Sequence, residues 1–325
     1  MQRAQRLATE IRELGDVTGD VVVQVWGCYT DGVICFCFRE FAAGRAHFEK
    51  ALALYDPAQR PAHSEVAPLD IVVVIRLWLS WSLASLGHLD QALLQHDAAL
   101  GDARRLSHPP TLAIALAGPG ISGLRVCWGP GLQLQYADEM LAVATEHGLE
   151  IFRISALIQR GWSLAGLGRA DEGIPLLTAG LAGFRDHGFI FFIPWALTLF
   201  GDACRMAGQS HSALAHLAEA RGLAEEKELR WFQAETLRLT GDVLLATGDP
   251  TGAEAGYHEA IALAQRQSAK LWELRAATSL ARLWRDQGKR TEARELLAPV
   301  HGWFTEGLGT PVLREAKALL EELPA

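Results

Sequence analysis

The chain has 325 residues, half of them hydrophobic, and a formal net charge of −8. That balance runs against the clustered cationic surface that direct binding of nucleic acid requires, so no nucleic-acid partner is expected. The five cysteines are odd in number, irregularly spaced and without a CxxC, which excludes a disulfide framework or a zinc site and reads as buried thiols in a reducing compartment.

The opening stretch MQRAQRLATEIRELGD reads as a charged helix without the apolar centre of a secretory leader, so a cytoplasmic location is expected. EFAAGRAHFEKALAL, around Gly44, begins a pattern that returns along the whole chain: an apolar helix, a glycine turn, then a second helix with a small residue near its start. DPAQRPAHSEV, near 56–66, is polar with two prolines and reads as an insertion loop. IVVVIRLWLSWSLASLG, residues 71–87, is interrupted by Arg76 and serines and falls short of the roughly 20 residues a bilayer needs, so it reads as a buried helix and no membrane partner is expected. The small-residue position recurs at Ala92, Gln133, Gly173, Ala213, Ala253 and Ala293, the last five of these spaced by 40 residues. Seven units of about 40 residues therefore cover nearly the whole chain.

Other columns keep the register. Seven residues after the small position come Ala51, Ala99, Met140, Gly180, Ala220, Ala260 and Val300. Gly161, Gly201, Gly241 and Ala281 lie mid-helix, where glycine costs about 1 kcal/mol, so a close helix crossing is expected there. Phe152, Phe192, Phe232 and Trp272 form an aromatic column suited to packing one unit on the next. Gly87, Gly168, Gly208, Gly248 and Gly288 stand where a helix must end in the left-handed conformation. In the third unit AGPGISGLRVCWGPGLQ, residues 117–133, departs from the pattern, and Pro119 is expected to kink or break its helix. PVLREAKALLEEL, residues 311–323, places Leu313, Ala316, Leu319 and Leu320 on one side and reads as a cap helix. The expected architecture is an all-α, right-handed superhelix of about seven antiparallel helix pairs, one repeat domain over residues 1–325.

The near-motifs for chemistry fail on spacing. WRDQGKRTEARELL resembles the end of a phosphate-binding loop, yet Leu283 holds the first glycine position and Arg290 the magnesium-binding hydroxyl position. Gly288 is then a turn residue and Lys289 a solvated charge, and no binding or hydrolysis of ATP is expected. HEAIA at 258–262 lacks the second histidine of a zinc helix, and GWSLA at 161–165 lacks the final glycine of a nucleophile elbow. No enzyme, cofactor or metal is expected.

Helix pairs with small-residue positions and a turn glycine resemble tetratricopeptide repeats in a longer form. EFAAGRAHFEKALALYDPAQ (40–59), IQRGWSLAGLGRADEGIPLL (158–177) and ATSLARLWRDQGKRTEARELLAPVHGWFTEG (277–307) are similar to the C-terminal repeats of large bacterial signalling proteins. In those proteins an AAA-type ATPase, often preceded by a class III adenylate or guanylate cyclase domain, carries the repeats. LuxR-family regulators of the maltose-activator type carry related ones. The resemblance covers most of the chain, fits 117–133 poorly, and brings no catalytic residue with it. It implies a scaffold or sensor whose partner is a protein or a linked ATPase or cyclase domain.

Two readings stay open: a protein-binding scaffold, and a sensor holding a small, for example sugar-like, ligand inside the superhelix. In tetratricopeptide-like arrays the first helix of each pair lines the concave face. In the C-terminal units helical spacing then places Trp195, Asp202, Arg205, Glu235, Arg238, Asp242, Arg275, Arg282 and Arg285 there, with Trp162 just upstream. So many charges are expected on a wet surface, with arginines ready for acidic groups.

Overall fold

A computed structural model describes residues 2–121 and 124–323. Among the described residues it holds eighteen α-helices and no strand: α1 Gln2–Thr18, α2 Val21–Cys37, α3 Phe41–Leu54, α4 Arg60–Val66, α5 Ile71–Leu86, α6 Leu89–Leu106, α7 Pro109–Ile121, α8 Leu124–Trp128, α9 Pro130–Glu146, α10 Glu150–Gly166, α11 Ala170–Asp186, α12 Ile193–Met206, α13 Ser210–Glu226, α14 Gln233–Ala246, α15 Pro250–Arg266, α16 Lys270–Asp286, α17 Arg290–Gly302 and α18 Pro311–Glu322. Seven antiparallel pairs follow one another: α2–α3, α5–α6, α7–α9, α10–α11, α12–α13, α14–α15 and α16–α17. The fold is the all-α helical repeat that the spacing predicts. Helix α1 packs on α2, and α18 packs on α16 and α17 through buried Val312, Leu313, Ala316 and Leu319.

The repeat columns have physical causes. The small position is buried in every pair, because it lies where the second helix crosses the first. At that crossing a Cβ on Gly161 would stand 2.6 Å from the Gly173 carbonyl oxygen, and one on Gly173 would stand 2.3 Å from that of Gly161. The turn column is left-handed throughout, with φ of 92° at Gly87, 80° at Gly168, 72° at Gly208, 86° at Gly248 and 82° at Gly288. Each such turn closes with the same bond, as in Lys289 N–H to Trp284 O at 2.8 Å. A helix, α16, precedes Gly288, and Lys289 extends its ammonium toward Glu254 at 3.9 Å, half exposed. Gly288→Val is therefore expected to cost about 2 kcal/mol, since a Cβ in the left-handed region is penalised by that order. Lys289→Ala should stay within about 0.5 kcal/mol. Chemical denaturation of both variants checks the contrast.

Two stretches differ from expectation. Residues 57–66 are helical, not loop: a short 3-10 turn, Pro57–Gln59, leads into α4. Asp56 caps that turn by accepting from Ala58 N–H at 2.9 Å, and the prolines sit in first turns, where a missing N–H costs nothing. In the third unit α7 runs through Pro119 to Ile121; Ser122 and Gly123 of the irregular segment lie outside the described residues. Helix α9 then starts with Pro130 in its first turn and regains the repeat's bounds. The last carbonyls of α7 find partners on later repeats. Gln159 Nε2 donates to Ala117 O at 3.2 Å, and Trp195 Nε1 to Gly120 O at 3.1 Å.

The two ends of the repeat array meet. Gly307 N–H donates to Asp90 at 3.1 Å, and Gln91 Nε2 donates to Glu306 at 3.2 Å. Helix α5 touches α16, and α8 touches α18. Inside, Phe36 lies 5.8 Å from Trp231, and Trp78 lies 6.4 Å from Phe191, ring centre to ring centre. One apolar core consequently includes residues from Phe36 to Leu323. Among the described residues no single helix is long and apolar enough to cross a membrane; α4 and α5 reach that length only as a pair bent by 88°.

Candidate functional site

Consecutive first helices α10, α12, α14, α16 and α18 lie side by side, so residues 40 apart become neighbours. This stacking turns the charged positions of the C-terminal units into one ladder. Trp162 Nε1 donates to Asp202 at 2.8 Å, and Arg205 donates to the same carboxylate through Nε at 3.0 Å and Nη2 at 2.8 Å. On α14, Glu235 is 1% exposed and receives two arginine forks. Arg238 donates at 2.9 and 3.0 Å from its own helix, and Arg275 at 3.1 and 2.9 Å from the next. Arg238 also reaches Asp242 at 2.6 Å and the Ser279 hydroxyl at 3.2 Å. Asp242 accepts from the Tyr257 hydroxyl at 2.9 Å and from Ser279 at 3.3 Å. Arg282 closes the ladder on Glu315 of α18 at 2.5 Å.

The ladder surrounds a cavity of about 250 Å³, lined chiefly by Arg205, Arg238, Asp242, Arg275, Arg282 and Glu315. Burial alone would raise the Glu235 carboxyl, but the two guanidiniums outweigh it and hold this carboxyl well below the usual carboxylate range. Burial likewise opposes the charge on Arg238, and Asp242 with Glu235 outweighs it, so this guanidinium stays charged. Burial and then the Asp242 charge raise the Tyr257 hydroxyl far above its ordinary value, keeping it a donor. Bidentate forks onto planar carboxylates are strong and directional.

The expectation of a wet face needs correction. Glu235, Arg238 and Asp202 are buried, because each charge is paired and hydrogen-bonded within the ladder. Trp195 is wholly enclosed and holds the end of α7, and Trp162 is buried against Asp202, so neither presents a surface. Arg285 lies apart from the cavity lining and pairs with Asp286 and Glu322. Arg205, Arg238, Asp242, Arg275 and Arg282 do converge. Sequence reasoning missed Glu315 and Ser279. Glu315 follows Arg275 by 40 residues in a column whose sign alternates, Glu235–Arg275–Glu315, and that alternation is the signal that would have found it. The near-motif Ser163 is fully buried and donates to Gln159 O at 2.8 Å within its own helix.

No family profile and no curated protein matches the chain. Solved structures share its fold. The apo form of RapI aligns with a TM-score of 0.55 at 12% identity, over 92% of this chain and 99% of that one. A Rap protein complexed with competence and sporulation factor aligns at 0.50 and 11% identity, over 93% and 97%. A signal-transduction ATPase with numerous domains and a tetratricopeptide repeat sensor, from Pyrococcus horikoshii, aligns at 0.48 and 15% identity; it covers 99% of this chain, which spans 45% of that protein.

Proposed function

We propose that this chain is a non-catalytic helical repeat module of bacterial signalling or regulation, cytoplasmic, that recognises an acidic group of a protein partner. The partner is a separate protein or an ATPase or cyclase domain linked to the repeats, as the sequence resemblance implies. The observation that carries this reading is the convergence of four guanidiniums on one open cavity in a chain of net charge −8. A Rap protein of the same fold is complexed with competence and sporulation factor, which supports an interaction role. The second reading, a small-molecule sensor, draws on the filled interior. With the two ends of the array in contact, the cavity of about 250 Å³ suits a small group or one side chain better than a broad surface.

The test removes the ladder's two more exposed guanidiniums; Asp202 keeps the Trp162 N–H, and a Gln amide at 205 can still donate to it. Arg205→Gln with Arg282→Gln should keep the fold by circular dichroism, since both side chains are about a third or more exposed. Wild-type protein should gain melting temperature with Asp- and Glu-rich peptides or with short organic acids, as a ligand of the folded state must produce. The double variant should lose that gain. If neither class of acid shifts the wild type at low ionic strength, recognition of acidic groups at this cavity is wrong.

A further inference from the structure

The four carboxylates of the ladder are held unequally. The Glu235 side chain is 1% exposed and Asp202 is 9%, each gripped by more than one donor. Asp242 is 22% exposed and takes Arg238, Tyr257 and Ser279. Glu315 differs: its side chain is 52% exposed, its partner Arg282 is 41% exposed, and it enters from the cap helix α18. Exposed ion pairs of this kind are weak and screened by salt. Glu315 is thus the one carboxylate at the cavity wall that can leave without stranding a buried charge.

We infer that Glu315 is an internal stand-in for the ligand, and that the cavity takes a compact dicarboxylate whose one carboxylate displaces Glu315 from Arg282. This rests on the acidic-group reading above and adds to it the ligand class and the residue that opposes entry. The group that Arg282 now holds is itself a carboxylate, so an incoming carboxylate takes over the same donor in the place of Glu315. The second carboxylate would lie toward Arg205 and Arg275 on the same wall, whose forks onto Asp202 and Glu235 use Nε and Nη2 and leave Nη1 for it. Such an acid is either a free short dicarboxylate or a pair of adjacent acidic side chains on a peptide. Displacing Glu315 also loosens the hold of α18, so occupancy would be reported at the cap.

Glu315→Gln keeps the shape and removes the competing charge. Titration calorimetry with succinate, with a peptide containing Asp-Glu, and with inorganic phosphate reads the result. Glu315→Gln should bind one of the carboxylate probes up to about fivefold more tightly than wild type, because an internal competitor lowers apparent affinity by the fraction of sites it occupies. Which carboxylate probe gains identifies the source. Adding Arg282→Gln to Glu315→Gln should abolish the gain. Glu322→Gln, which removes an equal charge from α18 at Arg285, should leave affinity unchanged. Equal tightening by Glu322→Gln, tighter binding of phosphate than of either carboxylate, or no gain in Glu315→Gln would each overturn the inference. The last result with a wild type that still binds acids would leave the acidic-group reading standing and remove only the role of Glu315.

Discussion

Glu235→Ala is expected to cost about 3–5 kcal/mol of folding stability, the range found when one partner of a buried ion pair is removed. Two guanidiniums lose their shared acceptor at once. Arg238 keeps Asp242 and Ser279, but the forks of Arg238 and Arg275 that met on Glu235 are left facing each other in a buried place. Arg282→Gln, at the exposed end of the same ladder, should cost less than about 1 kcal/mol. Urea titration of the two variants measures the gradient. The pH dependence follows from the same group. Its folded carboxyl is held well below the unfolded value of about 4.3, so its contribution is fully present above that pH and is lost as pH falls toward the folded value. Wild-type protein should therefore lose stability on acidification below about pH 4 more steeply than Glu235→Gln. Parallel acid profiles for the two would contradict the pairing.

Gly173→Ala should be the other large loss, about 2–3 kcal/mol net of the helix propensity it gains. The new Cβ would lie 2.3 Å from the Gly161 carbonyl oxygen, and a backbone atom cannot rotate away. Helices α10 and α11 would have to part. Gly222→Ala tests the argument from the other side. It lies within α13 with nothing within 4 Å of an added Cβ, so it should stabilise by up to about 1 kcal/mol. Thermal melts of both variants should shift in opposite directions.

The helix pairs were legible because their causes are local. A crossing that excludes a Cβ, and a turn that demands positive φ, each leave a small residue or a glycine at a fixed spacing. Where the same geometry is met by other residues the pattern fades. A second left-handed column runs through Gly148, Gly188, Glu228 and Ser268, and only half of it is glycine. Pro57 and Pro61 read as loop because the first turn of a helix and a turn favour the same residue. Gln133 is the one large residue in the small-residue column, yet it is buried and donates to Gln159 at 2.7 Å, part of the group that holds the end of α7. Half of the site was legible for a related reason. Helical spacing placed the arginines on one side with carboxylates three or four residues away, whereas the partners that tie one helix to the next lie 33 to 41 residues off, as in Arg282–Glu315, Arg275–Glu235 and Arg238–Ser279. The contact between the ends left no mark at all, since it arises from the accumulated twist of seven pairs.

That contact changes how the chain must fold. In an open array each repeat needs only its neighbours, and the ends can fray or be trimmed independently. Here the Asp90 side chain, in the first turn of α6, accepts from a backbone N–H 217 residues further on. During synthesis the first repeats therefore wait for the last before their own surface is covered, and closing so long a loop is slow relative to local helix pairing. Phe36 and Trp78 likewise lack Trp231 and Phe191 until those later repeats are made. Cutting the chain after α17, which removes Trp303 to Gly307 with α18, would then unsettle α6 and the end of α5 as well as α16 and α17, and the array should melt as a single cooperative unit.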